Sequence, residues 1–204
     1  MRITDRIEVT QPLDAVWEFF QDVPQVAASL PGTNLTDQVG EDHYRGEVTI
    51  SAGPVKLEFD GEAEIVERDE TDHTIQVEAN GADRKGRGQA ALLLDAELSP
   101  SGAGTAIDIA LDLNLSGPAA QYGRGLVSDV TAVLLQQFGQ NVQTRLTAIS
   151  EGRDPDAVGA AQPASGLSFA IRAAKLALAR VFRRFFAPYE PPPSRRDDRK
   201  KVLR

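Results

Sequence analysis

Hydrophobic and polar residues alternate along the middle of the chain. In Val55–Ile65 every second residue is apolar or small, and charged residues such as Lys56 and Glu58 stand between them. A period of two residues is typical of an antiparallel strand with one buried and one solvated face. The same alternation predicts strands over Tyr44–Ser51, Val55–Ile65, Thr74–Ala79, Gln89–Leu98 and Thr105–Leu115.

Short groups of turn-forming residues separate these segments. We expect turns at Ala52-Gly53-Pro54, Glu70-Thr71-Asp72, Asn80-Gly81 and Pro100-Ser101-Gly102, because Gly, Pro, Asn and Asp favour them. The turns and the alternation together predict a meander of five or six antiparallel strands.

Helical patterns flank the meander. Pro12 favours the start of a short helix, and a second short helix is expected over Val23–Leu30. After the last strand, Gly117-Pro118 begins a long helix that ends near Ser150. Its apolar residues recur every three or four positions, so they would lay one stripe on the sheet. They are Leu126, Val130, Val133, Leu134, Phe138, Val142, Leu146 and Ile149.

The order strand, two short helices, meander and long helix predicts an α+β fold of the helix-grip type. In it a curved antiparallel sheet wraps around one long C-terminal helix. Small residues such as Gly46, Gly61 and Gly88 recur on the presumed inner surface and favour an apolar cavity, whereas a fully packed core is the alternative. The expected ligand-binding residues are Trp17, Phe20, Leu30, Phe59, Ala90, Leu92, Ile109, Gly123, Leu126 and Val130.

Charge is distributed unevenly along the chain. The net charge is −8, but residues 1–164 hold 11 basic and 27 acidic residues, and residues 165–204 hold 11 basic and 3 acidic residues. An acidic body does not suit nucleic acid as the main partner, because phosphate contacts need a basic surface. The basic end of the chain needs an explanation of its own.

The segment Ser168–Phe186 contains five basic residues, four phenylalanines and no acid. Its spacing predicts an amphipathic helix that lies in a membrane interface, since its charges exclude a membrane-spanning helix. A helix packed back on the acidic body is the alternative. The expected membrane-binding residues are Phe169, Ile171, Arg172, Lys175, Leu178, Arg180, Phe182, Arg183, Arg184, Phe185 and Phe186.

These patterns divide the chain into four parts. Residues 1–150 are expected to form the folded domain, and residues 151–164, which lack periodicity, a flexible linker. Residues 165–187 are the basic membrane-binding helix, and residues 188–204 a disordered basic tail. The first residues lack the apolar stretch of a signal peptide. A cytoplasmic protein, peripheral on the inner face of the cytoplasmic membrane, is therefore expected.

Few residues suit catalysis, and no catalytic or metal-binding residue is predicted. The chain has no cysteine, which excludes thiolate chemistry. His43 and His73 stand beside acidic turn residues and are interpreted as solvated. Arg84, Lys85 and Arg87 form a tight basic cluster, interpreted as a partner-docking contact or a polar gate at the cavity mouth. An ordinary hairpin tip is the alternative.

Three short motifs carry a resemblance to a known family. They are LPG at 30–32, GPVKLEFDG at 53–61 and KGRGQA at 85–90. Together with the order of elements over about residues 1–150, they resemble the CoxG family of carbon monoxide dehydrogenase subunits, in the START-like, SRPBCC superfamily. Thr33 departs from the pattern, since many members have a cysteine after LPG, so no thiol role carries over.

The resemblance implies a non-catalytic accessory protein. It implies recruitment of a molybdenum hydroxylase of the carbon monoxide dehydrogenase type to a cytoplasmic membrane with anionic lipids. It also implies an apolar small molecule in the cavity, an isoprenoid quinone, with no covalent cofactor. Two alternatives stay open: a general lipid or isoprenoid carrier without an enzyme partner, and a cyclase or hydrolase of the same superfamily.

Overall fold

The structure is a computed structural model and describes residues 1–52 and 55–158. Three short or medium helices and seven strands alternate in the order that the sequence predicts. The elements are β1 (Arg2–Val9), α1 (Leu13–Gln21), α2 (Val23–Ser29), β2 (Thr33–Gln38), β3 (His43–Ala52), β4 (Val55–Asp69), β5 (Thr74–Asp83), β6 (Gln89–Ser101), β7 (Gly104–Ser116), the 3₁₀ helix η1 (Gly117–Tyr122), α3 (Gly123–Ser150) and the 3₁₀ helix η2 (Pro155–Val158).

The described strands form one antiparallel sheet in the order β1-β7-β6-β5-β4-β3-β2. Strands β2 to β7 follow one another as a meander, and β1 pairs with β7. The long helix α3 lies against β1 and α2. The predicted α+β helix-grip fold is therefore confirmed. The appended amphipathic helix at 165–187 and the tail at 188–204 lie outside the described residues.

The prediction of a turn at Asn80-Gly81 is wrong. Both residues lie inside β5, where Gly81 pairs with Gly61 of β4 and with Ala90 of β6. The strands come close here, since a Cβ added to Gly61 would lie 2.2 Å from the carbonyl oxygen of Asn80. Glycine thus serves a close backbone approach and not a turn. The chain turns after Asp83 instead, and β6 begins at Gln89.

The predicted long helix is divided in the structure. Gly117-Pro118 begins η1, and α3 starts only at Gly123, whose φ of +78° marks the break between the two elements. Residue 119 anchors η1 to the β5–β6 turn, because its N–H donates to the carbonyl oxygen of Arg87 at 2.8 Å. The start of α3 is thereby held at this end of the sheet.

Residues 151–158, predicted as the first part of the flexible linker, pack on the domain. Arg145 of α3 is 3% exposed, and its Nη1 donates to Oδ1 of Asp156 in η2 at 3.0 Å. The Nε2 of Gln25 in α2 donates to the same oxygen at 3.3 Å. These bonds join η2 to α2 and α3, so residues 151–158 belong to the folded domain. Residues 159–164 lie outside the described residues.

The core occupies the part of the concave face that α1, α2 and the second half of α3 cover. Val16, Ile107 and Val142 are completely buried there. The helix α3 comes closest to β1 at Gly139, where an added Cβ would lie 2.7 Å from Cγ2 of Ile7. None of the helices in the described part of the chain is long and apolar enough to cross a membrane.

Candidate functional site

The concave face of the sheet is packed at one end and open at the other. Ile107 and Leu98, paired across β7 and β6, are 0% and 2% exposed. Two pairs further along the same face, Leu111 is 8% exposed and Leu94 is half-buried. Beyond them, both members of each pair are half-buried, as in Leu113 with Leu92 and Leu115 with Ala90. The packing therefore loosens steadily towards η1.

The open end continues over the neighbouring strands. By alternation, Val48 and Ile50 of β3 and Leu57 of β4 lie on the concave face, and all three are half-buried. We define the open groove as this half-buried apolar part of the concave face. Its sheet residues are Val48, Ile50, Leu57, Ala90, Leu92, Leu113 and Leu115.

The first half of α3 supplies a further row of half-buried apolar residues. Leu134, Val130 and Val127 precede the buried Phe138 at steps of three and four residues, so they share its side of the helix. Leu126, one position further, is 39% exposed. The helix thus changes from a packed second half to a partly solvated first half, as the sheet does.

Small residues cross the sheet in one row at the groove. Gly46, Gly61, Gly81 and Ala90 pair in succession across β3, β4, β5 and β6. Three neighbouring positions of the concave face therefore carry no side chain, and the fourth carries a single methyl group. This row leaves room beside Leu92 and Leu115 that larger side chains would fill.

The structure divides the predicted ligand-binding residues between the core and the groove. Phe20 and Ile109 lie in the hydrophobic core, and Trp17 and Leu30 pack against it. Phe59 is buried, whereas Gly123 and Leu126 are exposed. Ala90, Leu92 and Val130 are half-buried, the first two in the groove and the third on α3. The roles of all ten residues in ligand binding stay predictions.

Several groove residues were missed by the sequence prediction, although their signal was present. Leu113 and Leu115 continue the alternation of β7 beyond Ile109, and Val48 and Leu57 continue that of β3 and β4. The alternation identifies the concave face but not the point at which packing against it loosens. That point depends on where α1, α2 and α3 cross the sheet.

The turn between β5 and β6 closes one end of the groove and is built around Asp83. This carboxylate is 4% exposed and accepts hydrogen bonds from Nη2 and Nε of Arg87 at 2.6 and 2.8 Å. It also accepts from the backbone N–H groups of Lys85, Arg87 and Glu58 at 3.0 to 3.2 Å. The bonds from Arg87 lower the pKa of Asp83 far below its usual range, although desolvation opposes them.

The predicted basic cluster is largely paired within the domain. Nε of Arg84 donates to both carboxylate oxygens of Asp60 at 2.8 and 2.9 Å, and its Nη2 donates to Glu47. These two acids raise the pKa of Arg84 above its usual range. Lys85 is exposed, and its side chain forms no ion pair with the described residues. Docking of a partner through Arg84, Lys85 and Arg87 stays a prediction.

The two histidines lie in different environments. His43 faces Glu62 across β3 and β4, with its Nε2 3.1 Å from Oε2. His73 packs edge-on against Trp17, with ring centroids 5.0 Å apart, and its φ of +52° belongs to the turn before β5. It is therefore less solvated than the sequence suggests. Within residues 1–52 and 55–158, no cluster of His, Asp or Glu could hold a metal ion.

Cavities occur at two other places on the domain. One of about 550 Å³ lies between β1 and α3, beside Gln136 and Gln140. One of about 500 Å³ lies on the convex face of the sheet, beside Gln76 and Asp95. Of the predicted ligand-binding residues, only Ile109 borders either cavity. The concave face therefore offers a ligand an open groove with half-buried apolar walls.

The comparisons with known proteins agree with this fold. Residues 6–147 match the model of the carbon monoxide dehydrogenase CoxG family. A conserved protein from Geobacillus kaustophilus has a similar structure, with 20% identity and a TM-score of 0.65 over 72% of this chain and 95% of that chain. A search of curated protein sequences finds no match.

Two further solved structures share the architecture at lower identity. A protein from Thermus thermophilus is 16% identical, with a TM-score of 0.55 over 74% of this chain and 99% of that chain. The ZhuI aromatase/cyclase from Streptomyces sp. R1128 is 12% identical, with a TM-score of 0.55 over 76% of this chain and 99% of that chain. At these identities the likeness concerns the fold.

Proposed function

The chain belongs to the CoxG family of carbon monoxide dehydrogenase subunits, as its motifs indicated, and we propose that it is an accessory protein that carries an apolar ligand and recruits its enzyme partner to a membrane. The partner would be a molybdenum hydroxylase of the carbon monoxide dehydrogenase type. The observation that carries the ligand part is the open groove. The observation that carries the membrane part is the basic, phenylalanine-rich segment Ser168–Phe186.

The groove suits a long apolar molecule. Leu92, Leu113 and Leu115 expose apolar surface that a fully packed core would bury, and the glycine row beside them leaves space. Burial of apolar surface contributes about 25 cal/mol per Å², so a ligand that covers such a groove gains several kcal/mol. A small number of polar groups would then fix its orientation.

An isoprenoid quinone fits these requirements. Its chain would contact the leucines of β6 and β7 and Val130 of α3, and its polar ring would lie towards the β5–β6 turn, where Lys85 is exposed. When bound, a quinone supplies an acceptor for two electrons and two protons. The apolar walls would hold its chain out of water, and the Asp83–Arg87 pair would keep the turn at the end of the groove rigid.

The C-terminal segment would place the ligand carrier at its source. Each Lys or Arg close to an anionic leaflet contributes about 1 kcal/mol, and each well-buried Phe adds roughly 1.5–3 kcal/mol at most. The segment holds five basic residues and four phenylalanines. These contributions, reduced by the cost of ordering the segment, give reversible binding to a membrane surface.

Recruitment of the enzyme can be tested directly. Purified carbon monoxide dehydrogenase from the same source is sedimented with anionic phosphatidylglycerol vesicles, with and without the full chain. We expect the enzyme to sediment only when the full chain is present, and not with a chain that ends at residue 164. Equal sedimentation of the enzyme in all three samples would contradict the recruitment proposal.

The general-carrier alternative differs only in the partner. It predicts that the chain binds vesicles and an isoprenoid ligand but leaves the enzyme in the supernatant. The cyclase alternative draws on the fold shared with the aromatase/cyclase, and it would need a polar reacting group in the groove. His43 lies on the convex face, paired with Glu62, and His73 packs on Trp17, so neither described histidine favours it.

A further inference from the structure

The convex face of the sheet carries acidic side chains that have no basic partner. By strand register, Glu97 and Asp95 of β6, Gln76 and Glu78 of β5, and Glu67 of β4 occupy adjacent rows of this face. We call the following group the acidic face: Glu64, Glu67, Asp69, Glu78, Asp95 and Glu97. None of these six forms an ion pair with a Lys or Arg of the described residues.

The basic residues around the acidic face are already paired with other acids. On the β1 side, Arg2 pairs with Asp112 at 3.4 Å and Arg6 with Asp108 at 3.1 Å. On the β3 side, Arg45 pairs with Glu62 at 2.7 Å. The described part of the domain thus offers the six acids no counter-charge at close range.

The register places like charges directly opposite one another. Glu64 of β4 faces Glu78 of β5, and Glu97 of β6 faces Asp108 of β7. Like charges at directly opposite positions destabilise a sheet. Of the two pairs, only the second has an arginine nearby, through Arg6 and Asp108. A basic occupant of this face would remove the repulsion.

The acidic face is also shaped to receive an occupant. The cavity of about 500 Å³ on the convex face is bordered by Glu67, Asp95 and Glu97. Two apolar residues lie within reach of a second kind of contact, since Val66 at the bulge of β4 is 42% exposed and Leu93 of β6 is half-buried. The face therefore combines unpaired carboxylates with some apolar surface.

We propose that this face binds the chain's own basic segment Ser168–Phe186 when no membrane is present. The segment is complementary in charge, with five basic residues and no acid, and its phenylalanines suit the exposed apolar residues of the face. Docking and membrane binding then use the same basic residues. The acidic face and an anionic membrane compete for the segment, which makes the membrane anchor switchable.

The length of the chain permits this contact. The described domain ends at Val158, next to α2 and α3, and residues 159–167 precede the segment. Nine extended residues span up to about 30 Å, and a domain of this size has a radius of gyration of about 15 Å. The segment can therefore reach the opposite face of the sheet around the edge of the domain.

The docking is tested in the full chain without membranes. Because the chain has no cysteine, Ser168→Cys provides a single site for a nitroxide label. We expect the label to broaden the backbone amide signals of β4, β5 and β6 around Glu67, Glu78 and Asp95 at low salt. The broadening should vanish at 1 M NaCl, where the Debye length is about 3 Å.

Two triple variants with the same change in charge separate the acidic face from net charge. Glu67→Lys, Glu78→Lys and Glu97→Lys should abolish the broadening. Asp14→Lys, Glu18→Lys and Glu41→Lys, which lie on α1 and in the β2–β3 turn, should leave it in place. No broadening of convex-face amides in the unmodified chain, or equal broadening in both variants, would overturn the proposal.

A vesicle assay tests the competition and rests on the proposed membrane role. With phosphatidylglycerol vesicles, the face-reversed variant should bind about three- to tenfold more tightly than the control, the factor expected if a tenth to a third of the segments are free in the unmodified chain. Equal binding of the two variants would refute the switch. Absence of vesicle binding in every variant, together with label-induced broadening, would support docking and refute the membrane role.

Discussion

The guanidinium of Arg87 and the carboxylate of Asp83 form a two-point ion pair, with hydrogen bonds of 2.6 and 2.8 Å. The pair spans the turn between β5 and β6 and lies at the end of the groove. The same carboxylate accepts the N–H of Glu58, so it also joins the turn to β4. One buried acid therefore organises three segments of the chain.

Replacement of Asp83 by Asn should weaken this turn. Asn cannot accept both hydrogen bonds from Arg87 and leaves a half-buried guanidinium without its counter-charge. We expect a clear decrease in the midpoint of thermal unfolding, measured by circular dichroism at pH 7. Asp95→Asn is the matched control, because Asp95 accepts from the side-chain amide of Gln76 and forms no ion pair within the described residues.

The contribution of Asp83 should depend on pH in a defined direction. Arg87 lowers the pKa of the folded carboxyl below its unfolded value of about 3.9, so its stabilising effect is complete above that value and declines as pH falls through it. The difference in free energy of unfolding between the unmodified chain and Asp83→Asn should be constant from pH 7 to 5. It should shrink below about pH 4, and urea unfolding that gives the same difference at pH 7 and 3 would contradict the assignment.

Two glycines of α3 should respond oppositely to alanine. At Gly139 an added methyl group would lie 2.7 Å from Cγ2 of Ile7, so Gly139→Ala should destabilise the fold by about 1–3 kcal/mol through overpacking. At Gly125 nothing lies within 4 Å, and Gly125→Ala should be neutral or stabilise by up to about 1 kcal/mol. Urea unfolding measures both. A destabilisation of equal size in the two variants would mean that α3 does not pack on β1 at Gly139.

The sequence predicts the architecture well because the fold follows from local patterns. Alternation identifies the strands from β3 to β7, and the three- and four-residue rhythm identifies α3. Asn80-Gly81 misled the prediction because the same dipeptide serves a tight turn and a close crossing of strands. The short strand β2 has little alternation to detect.

The candidate site is less predictable, since it depends on contacts between distant elements. Whether Ile109 lies in the core or Leu113 in the groove is decided by where the helices cross the sheet, which no local pattern encodes. The pairing of Asp83 with Arg87 and of Arg84 with Asp60 also follows from the fold. A cluster of basic letters in the sequence does not reveal which of them remain unpaired.

Ala90 and Ala91 provide a matched test of the groove, because adjacent residues of a strand face opposite sides of the sheet. Ala90→Phe should fill the space beside Gly81 and Leu115 and lower the affinity for a short-chain ubiquinone about tenfold, equivalent to the loss of roughly two buried methylene groups. Ala91→Phe places the same ring on the convex face and should leave the affinity unchanged. Quenching of the single tryptophan, Trp17, reports the titration. Equal affinities in the two variants would remove Ala90 from the site.

The anchor role of the C-terminal segment predicts both a deletion effect and a salt effect. A chain that ends at residue 164 should lose at least about tenfold in binding to anionic phosphatidylglycerol vesicles. Binding of the full chain should weaken between 0.1 and 1 M NaCl, because the Debye length falls from about 10 to about 3 Å. Binding that survives the deletion would contradict the anchor, and binding indifferent to salt would assign it to the phenylalanines alone.

The central claim is that the groove carries an apolar ligand, and the most direct measurement is mass spectrometry of an organic extract of the full chain purified without detergent. We predict an isoprenoid quinone in a molar ratio approaching one to the unmodified protein and to Ala91→Phe, and a much lower ratio to Ala90→Phe. An extract of the unmodified protein with no apolar compound above the level of a blank purification, combined with no binding of added ubiquinone, would contradict the claim.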